Sequence, residues 1–138
     1  CDELIMTADK YNGSVAYPRD KRALTVLTEL WAKAWAEHNI AVNSMHPGWA
    51  DTPGVQTALP GFRRVTKRVL RSPAEGADTI VWLARATEAE QVSGKLILER
   101  EPRTTHLRTR TKERPEERTR LLDWLAETYS GLNLNDKG

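Results

Sequence analysis

Between Tyr17 and Glu37 apolar side chains recur three or four positions apart: Leu24, Leu27, Trp31 and Trp35. Ala23, Val26, Leu30 and Ala34 widen the same stripe. This spacing predicts an amphipathic helix. Asn39 is its expected stop, because Asn tolerates the left-handed conformation. Ile40 to Met45 then reads as a short strand, ended by Pro47-Gly48. Residues 49–61 read as a long loop carrying Pro53, Gly54 and Pro60, and a short basic helix follows from Phe62 to Leu70. Ser72 with Glu75 three residues on is a capping box, and Pro73 suits a first helical position. The helix they start should run to Ala86, with Ala77, Ile80, Val81 and Ala84 on its apolar face. Ser93-Gly94 turns into a strand over Lys95–Glu99, a run short and apolar enough to be buried. Arg100 to Glu116 has no periodicity, and a last helix covers Glu117–Tyr129. The first thirteen residues carry the Asn12-Gly13 turn signal and read as a loop with one helical turn.

Two strands separated by a helical crossover predict a parallel α/β arrangement. Two strands are too few for a parallel sheet covered on both faces, so further strands are expected before this stretch. Composition agrees with a soluble chain: 138 residues, 39% hydrophobic and 29% charged. A net charge of +2 is too small to argue for a nucleic-acid partner by itself. No apolar run reaches membrane-spanning length, and the single cysteine, Cys1, fits a reducing compartment. The expected location is cytoplasmic. Cys1-Asp2 is read as an interior point of a longer protein rather than as a lipidated or nucleophilic terminus.

One pair carries candidate chemistry. Tyr17 and Lys21 lie four apart, a spacing that puts both side chains on one face of a helix. A free phenol gives up its proton near pH ~10, too high for efficient exchange at neutrality. A fixed neighbouring cation favours the phenolate. A tyrosine so placed can give a proton to a carbonyl oxygen, or take one from an alcohol. Alone, the spacing arises often by chance.

The context adds weight. Some twenty residues beyond Lys21, the Ile40–Met45 strand runs into His46-Pro47-Gly48-Trp49-Ala50-Asp51-Thr52-Pro53. Open α/β sheets bind cofactors in loops of this kind, at the carboxyl ends of parallel strands. Tyr17-x-x-x-Lys21 on a helix, Ile-Ala-Val-Asn in the next strand, and Pro47-Gly48 with Thr52 together resemble the second half of the short-chain dehydrogenase/reductase family. The resemblance runs from about Asn12 to Leu107.

The resemblance implies an α/β fold, the C-terminal portion of a Rossmann-like doubly wound parallel sheet without its N-terminal strands. It implies a domain portion over 1–107 and a polar basic tail with a terminal helix over 108–138. It implies an oxidoreductase using NAD or NADP on an alcohol or carbonyl group of a small lipophilic substrate. Tyr17 would be the catalytic acid/base, and Lys21 would support it while hydrogen-bonding the nicotinamide ribose. Pro47, Gly48, Trp49 and Thr52 would position the nicotinamide end of the cofactor. Trp49 and the loop through Leu59 would line the substrate side. A second copy pairing through the tyrosine-bearing helix, at Trp31 and Trp35, is a further implied partner.

The departures from the family are specific. No Gly-x-Gly-x-x-Gly turn is present to hold cofactor phosphates. Ser14 is only three residues before Tyr17, too near for the family's catalytic serine, and reads as a turn or cap. Pro18 directly after Tyr17 pushes that residue towards an extended backbone. The residue that separates NAD from NADP follows a strand not contained in this sequence. The strand, glycine-rich turn and serine-bearing strand of the family are expected upstream, and the isolated chain is expected to fold poorly. The competing possibility is a non-catalytic remnant or interaction module that keeps part of the fold.

Other residues are read more plainly. His38, His46 and His106 lack metal-ligand spacing, and Asp51 reads as a loop cap. Trp31, Trp35, Trp82 and Trp124 read as packing residues. Between 100 and 120, eight Arg or Lys residues are interleaved with four Glu. The intervening acids and missing aromatic partners favour a solvated segment over specific nucleic-acid binding.

Overall fold

The computed structural model describes residues 4–58, 60–66, 68–106 and 108–131. Cys1, Leu59 and Leu107, each used in the sequence reading, lie outside them. The chain divides into two compact units, one of residues 1–27 with 106–138 and the other of residues 28–105.

Helix α1 spans Gly13–Ala34, starting four residues earlier than the apolar repeat predicts. Asn12 is the reason. Its Oδ1 accepts the Ser14 amide at 3.0 Å, and its carbonyl accepts the Val15 and Ala16 amides, both at 2.9 Å. Pro18 therefore lies inside the helix, where it leaves the Ser14 carbonyl without its usual donor. Tyr17 is helical, and the extended conformation expected of it does not occur. The buried face is narrower than the stripe suggests. Val26, Leu27, Thr28 and Ala32 are buried, whereas Leu24 is 47% and Trp35 41% exposed. The Trp31 and Trp35 rings stack with centroids 5.7 Å apart. After a 3-10 turn over Ala36–His38, Asn39 stops the helical path at φ 57, as its residue type predicts.

In the unit of residues 28–105, β1 covers only Ser44–Met45, β2 Leu96–Leu98 and β3 Glu101–Arg103. The β1–β2 pair is parallel, matching Ser44 to Leu96 and Met45 to Ile97. The expected strand over Ile40–Met45 shortens because side chains take over its first bonds. The Val42 amide donates to Ser93 Oγ at 3.1 Å. Asn43 donates from Nδ2 to the Val92 carbonyl at 2.6 Å and accepts the Lys95 amide on Oδ1 at 3.1 Å. Ile97, fully buried, is the central apolar residue of the sheet.

β3 was not legible in the sequence, and it pairs antiparallel to β2 with Leu98 opposite Glu101. The sheet is thus a small mixed one of order β1-β2-β3 among the described residues. Glu99 and Arg100, at φ 57 and 61, form the two-residue turn.

The predicted loop after β1 contains two short helices, α2 (Pro53–Ala58) and α3 (Pro60–Thr66), so the helix expected from Phe62 starts earlier and ends at Thr66. Helix α4 (Pro73–Arg85) has the predicted capping box and Pro73 in its first turn. In the other unit α5 covers Pro115–Gly131. It starts early because Glu117 reaches back to accept the Arg114 amide at 2.8 Å. Among the described residues, no helix is long and apolar enough to cross a membrane.

Candidate active site

Tyr17 and Lys21 stand one turn apart on α1, as their spacing requires. The Lys21 ammonium lies over the tyrosine ring, 5.4 Å from its centroid. At exposed sites such a contact is worth about 0.5–1 kcal/mol. It fixes a positive charge beside the phenol without using the phenolic oxygen. Tyr17 is 65% exposed and Lys21 is exposed as well. Ser14 is the second residue of α1, with its amide held by Asn12. The cap is Asn12, so Ser14 is a capped helical residue rather than the turn or cap expected of it.

The loop after β1 is built separately, in the unit of residues 28–105. Gly48 takes φ +73, a left-handed conformation, and its amide donates to His46 Nδ1 at 2.9 Å. His46 is thereby spent on holding the loop. Arg71 brackets the next residues: its amide donates to the Trp49 carbonyl at 2.9 Å, and its carbonyl accepts the Asp51 amide at 2.8 Å. Its side chain crosses Gly48, where an added Cβ would meet Arg71 Nε at 3.1 Å. Its guanidinium also pairs with Glu99 in the β2–β3 turn.

Pro47 and Ala50 are pressed against α4 at Gly76, where a Cβ would come within 3.1 Å of the Ala50 Cβ. Thr52 opens α2, its Oγ1 accepting the Val55 amide at 3.4 Å and its carbonyl the Gln56 amide at 3.0 Å. Asp51 Oδ1 accepts Gln56 Nε2 at 3.2 Å, which is the loop-capping part expected of it. Trp49 is 57% exposed. So Pro47, Gly48, Trp49 and Thr52 form one braced loop, while Tyr17 and Lys21 belong to the other compact unit.

Arg71, Gly76 and Glu99 were not singled out by the sequence. Arg71 precedes the capping box by one residue, but nothing in its spacing marks it. Two carboxylates on α4 lie in charged surroundings. Hydrogen bonds from Ser72, backbone first, hold the Glu75 carboxyl below its usual range, and Arg71 adds to this. The Arg100 guanidinium does the same for Asp78.

No family model matches the chain, and no solved structure matches it. Curated sequences do, and the chain belongs to the short-chain dehydrogenase/reductase family. It is 44% identical over 124 residues to dehydrogenase/reductase SDR family member 12 of Homo sapiens, covering 86% of this chain and 38% of that protein. The Bos taurus protein of the same name is 44% identical over 119 residues, covering 85% of this chain and 37% of the relative. Retinol dehydrogenase 14 of Homo sapiens is 35% identical over 91 residues, covering 62% of this chain and 27% of the relative. The chain therefore spans less than two fifths of the length of each of these relatives.

Proposed function

We propose that this chain supplies the proton-transfer and nicotinamide-side residues of an oxidoreductase that uses NAD or NADP on an alcohol or carbonyl group. The observation that carries the reading is the Tyr17–Lys21 pair, a helix-borne phenol with an ammonium fixed over its ring and both groups exposed. The names of the relatives, dehydrogenases and reductases throughout, support it. A small lipophilic substrate is part of the proposal, in keeping with the exposed Trp49 ring. So is the place of these elements at the C-terminal side of a Rossmann-like doubly wound sheet, in keeping with the parallel β1–β2 pair.

Each group, taken by itself, suits one end of the cofactor. An exposed ammonium can donate to ribose hydroxyls, and the Pro47–Thr52 loop is braced from Arg71 and α4. No glycine-rich turn is present in the sequence for the pyrophosphate. When bound, the nicotinamide supplies the hydride acceptor or donor. Tyr17 gives a proton from its phenol to the carbonyl oxygen in reduction, and takes one from the alcohol in oxidation. Lys21 holds the ribose and stabilises the phenolate left behind.

In the complete enzyme, Tyr17→Phe should lower turnover by about 10²–10⁴-fold, the scale of general acid/base catalysis. Cofactor affinity should stay nearly unchanged. Near-normal turnover in that variant would refute the assignment and favour a non-catalytic remnant.

A further inference from the structure

On the far side of α1 from Tyr17 and Lys21 the helix turns a second, unassigned surface towards the C-terminal segment. Residues 18, 19, 22, 23 and 26 share that face by helical periodicity. With the segment from Arg110 to Leu121 they enclose a cleft of about 710 Å³, wholly within one compact unit. That volume lies in the range of small-molecule sites.

The cleft has two chemistries. Leu4, Pro18, Ala23, Val26 and Leu121 supply an apolar wall, of which Val26 and Leu121 are buried. Among the described residues Arg19, Arg22, Arg110, Lys112 and Arg120 supply five cations, beside Glu113 and Glu117. Both acids are already engaged by arginines. Glu113 pairs with Arg22 and lies 3.9 Å from Arg118, while Glu117 accepts from Arg114 at 3.3 Å. In the described lining, basic side chains outnumber acidic ones beside an apolar wall. Arg110 and Lys112 lie exposed, within reach of an entering ligand.

We propose that this cleft binds a small anionic amphiphile, an aliphatic body ending in a carboxylate or phosphate. An apolar wall alone would take any hydrocarbon, and a cationic surface alone would take any anion. The two together select a molecule that has both parts. Guanidinium groups pair with such head groups through two parallel hydrogen bonds. The site is independent of the oxidoreductase reading, because it faces away from Tyr17 and needs no turnover to be seen.

The test is calorimetric titration of the full chain with decanoate, decanol, inorganic phosphate and phosphatidylserine vesicles. Decanoate should bind saturably at one site, at least about tenfold more tightly than decanol or phosphate. The exposed double variant Arg110→Glu/Lys112→Glu should weaken decanoate by about tenfold or more, and Arg110→Lys, which keeps the charge but not the paired hydrogen bonds, should weaken it less. Equal affinity for decanol would reduce the cleft to an apolar surface and overturn the proposal. Phosphate binding as tightly as decanoate, or binding only to vesicles, would overturn it too. The comparison of ligands on the unaltered chain decides the question even if the double variant loses its fold.

Discussion

Arg100 grips Asp78 with two hydrogen bonds, Nε to Oδ2 at 2.8 Å and Nη2 to Oδ1 at 2.5 Å. This pair ties the β2–β3 turn to the middle of α4. Arg100 takes φ 61 to make it, and its neighbour Glu99 takes φ 57 while pairing with Arg71. Left-handed backbone at a residue with a Cβ costs roughly 1–2 kcal/mol. Both turn residues thus accept strain and are held by ion pairs.

The pair should make the hairpin acid-sensitive. Arg100 holds the Asp78 carboxyl below its ordinary value of 3.8. A depressed folded value means that the contribution is present above the unfolded value and lost as pH falls through the folded one. Hydrogen exchange at the β2 and β3 amides should therefore accelerate below about pH 4 relative to the rest of the fold. In Asp78→Asn the excess acceleration should disappear. An unchanged acid response in that variant would separate the hairpin from the ion pair.

Ile97→Ala should be among the most damaging single changes in this unit. The side chain is fully buried at the centre of the sheet, and truncation of a buried isoleucine costs about 2–5 kcal/mol. The loss should show as a lower urea midpoint with little change in slope.

Gly76→Val should move the loop that Pro47 and Ala50 begin. The first added carbon already lies 3.1 Å from the Ala50 Cβ and 3.6 Å from the Pro47 Cβ, and valine adds two more. Overpacking of this kind costs about 1–3 kcal/mol. In the complete enzyme the variant should raise the Kd for cofactor more than it lowers the rate at saturation, which steady-state kinetics with varied cofactor would show.

Lys21→Ala should harm both cofactor binding and turnover, unlike Tyr17→Phe, which should harm turnover alone. Lys21→Arg should keep most of the binding because the charge remains. Its turnover should recover less, since a planar guanidinium replaces a compact ammonium over the ring. Equal kinetics for Lys21→Ala and the parent would remove Lys21 from the site.

The legible parts of this fold are those with local causes. Ser72, Pro73 and Glu75 announce α4, and Asn39 stops the helical path, because caps and left-handed positions depend on nearby residues. The parallel β1–β2 pair was legible from two apolar runs and the helix between them. The β2–β3 hairpin was not, because Glu99-Arg100 carries none of the Asn or Gly that such turns favour. Its support comes from Arg71 and Asp78, which only folding brings near. Asn12 starts α1 early, and that single cap also overturned the backbone expected of Tyr17. Of the candidate site, the sequence marked the residues that carry chemical groups. The residues bracing them, Arg71 and Gly76, act through shape and backbone contacts, which leave no spacing signal.

Asn43 gives the loop a chemical lifetime. Its amide nitrogen donates to Val92 at 2.6 Å and its oxygen accepts from Lys95 at 3.1 Å, in place of ladder bonds that would otherwise start β1 earlier. Asparagine is among the thermolabile side chains. Hydrolysis of this amide would replace the donor with a carboxylate oxygen facing the Val92 carbonyl, turning attraction into repulsion at the entrance to the sheet. Such damage would fall on a residue that takes no part in any proton transfer, and its sign would be the release of Val92 from the start of β1.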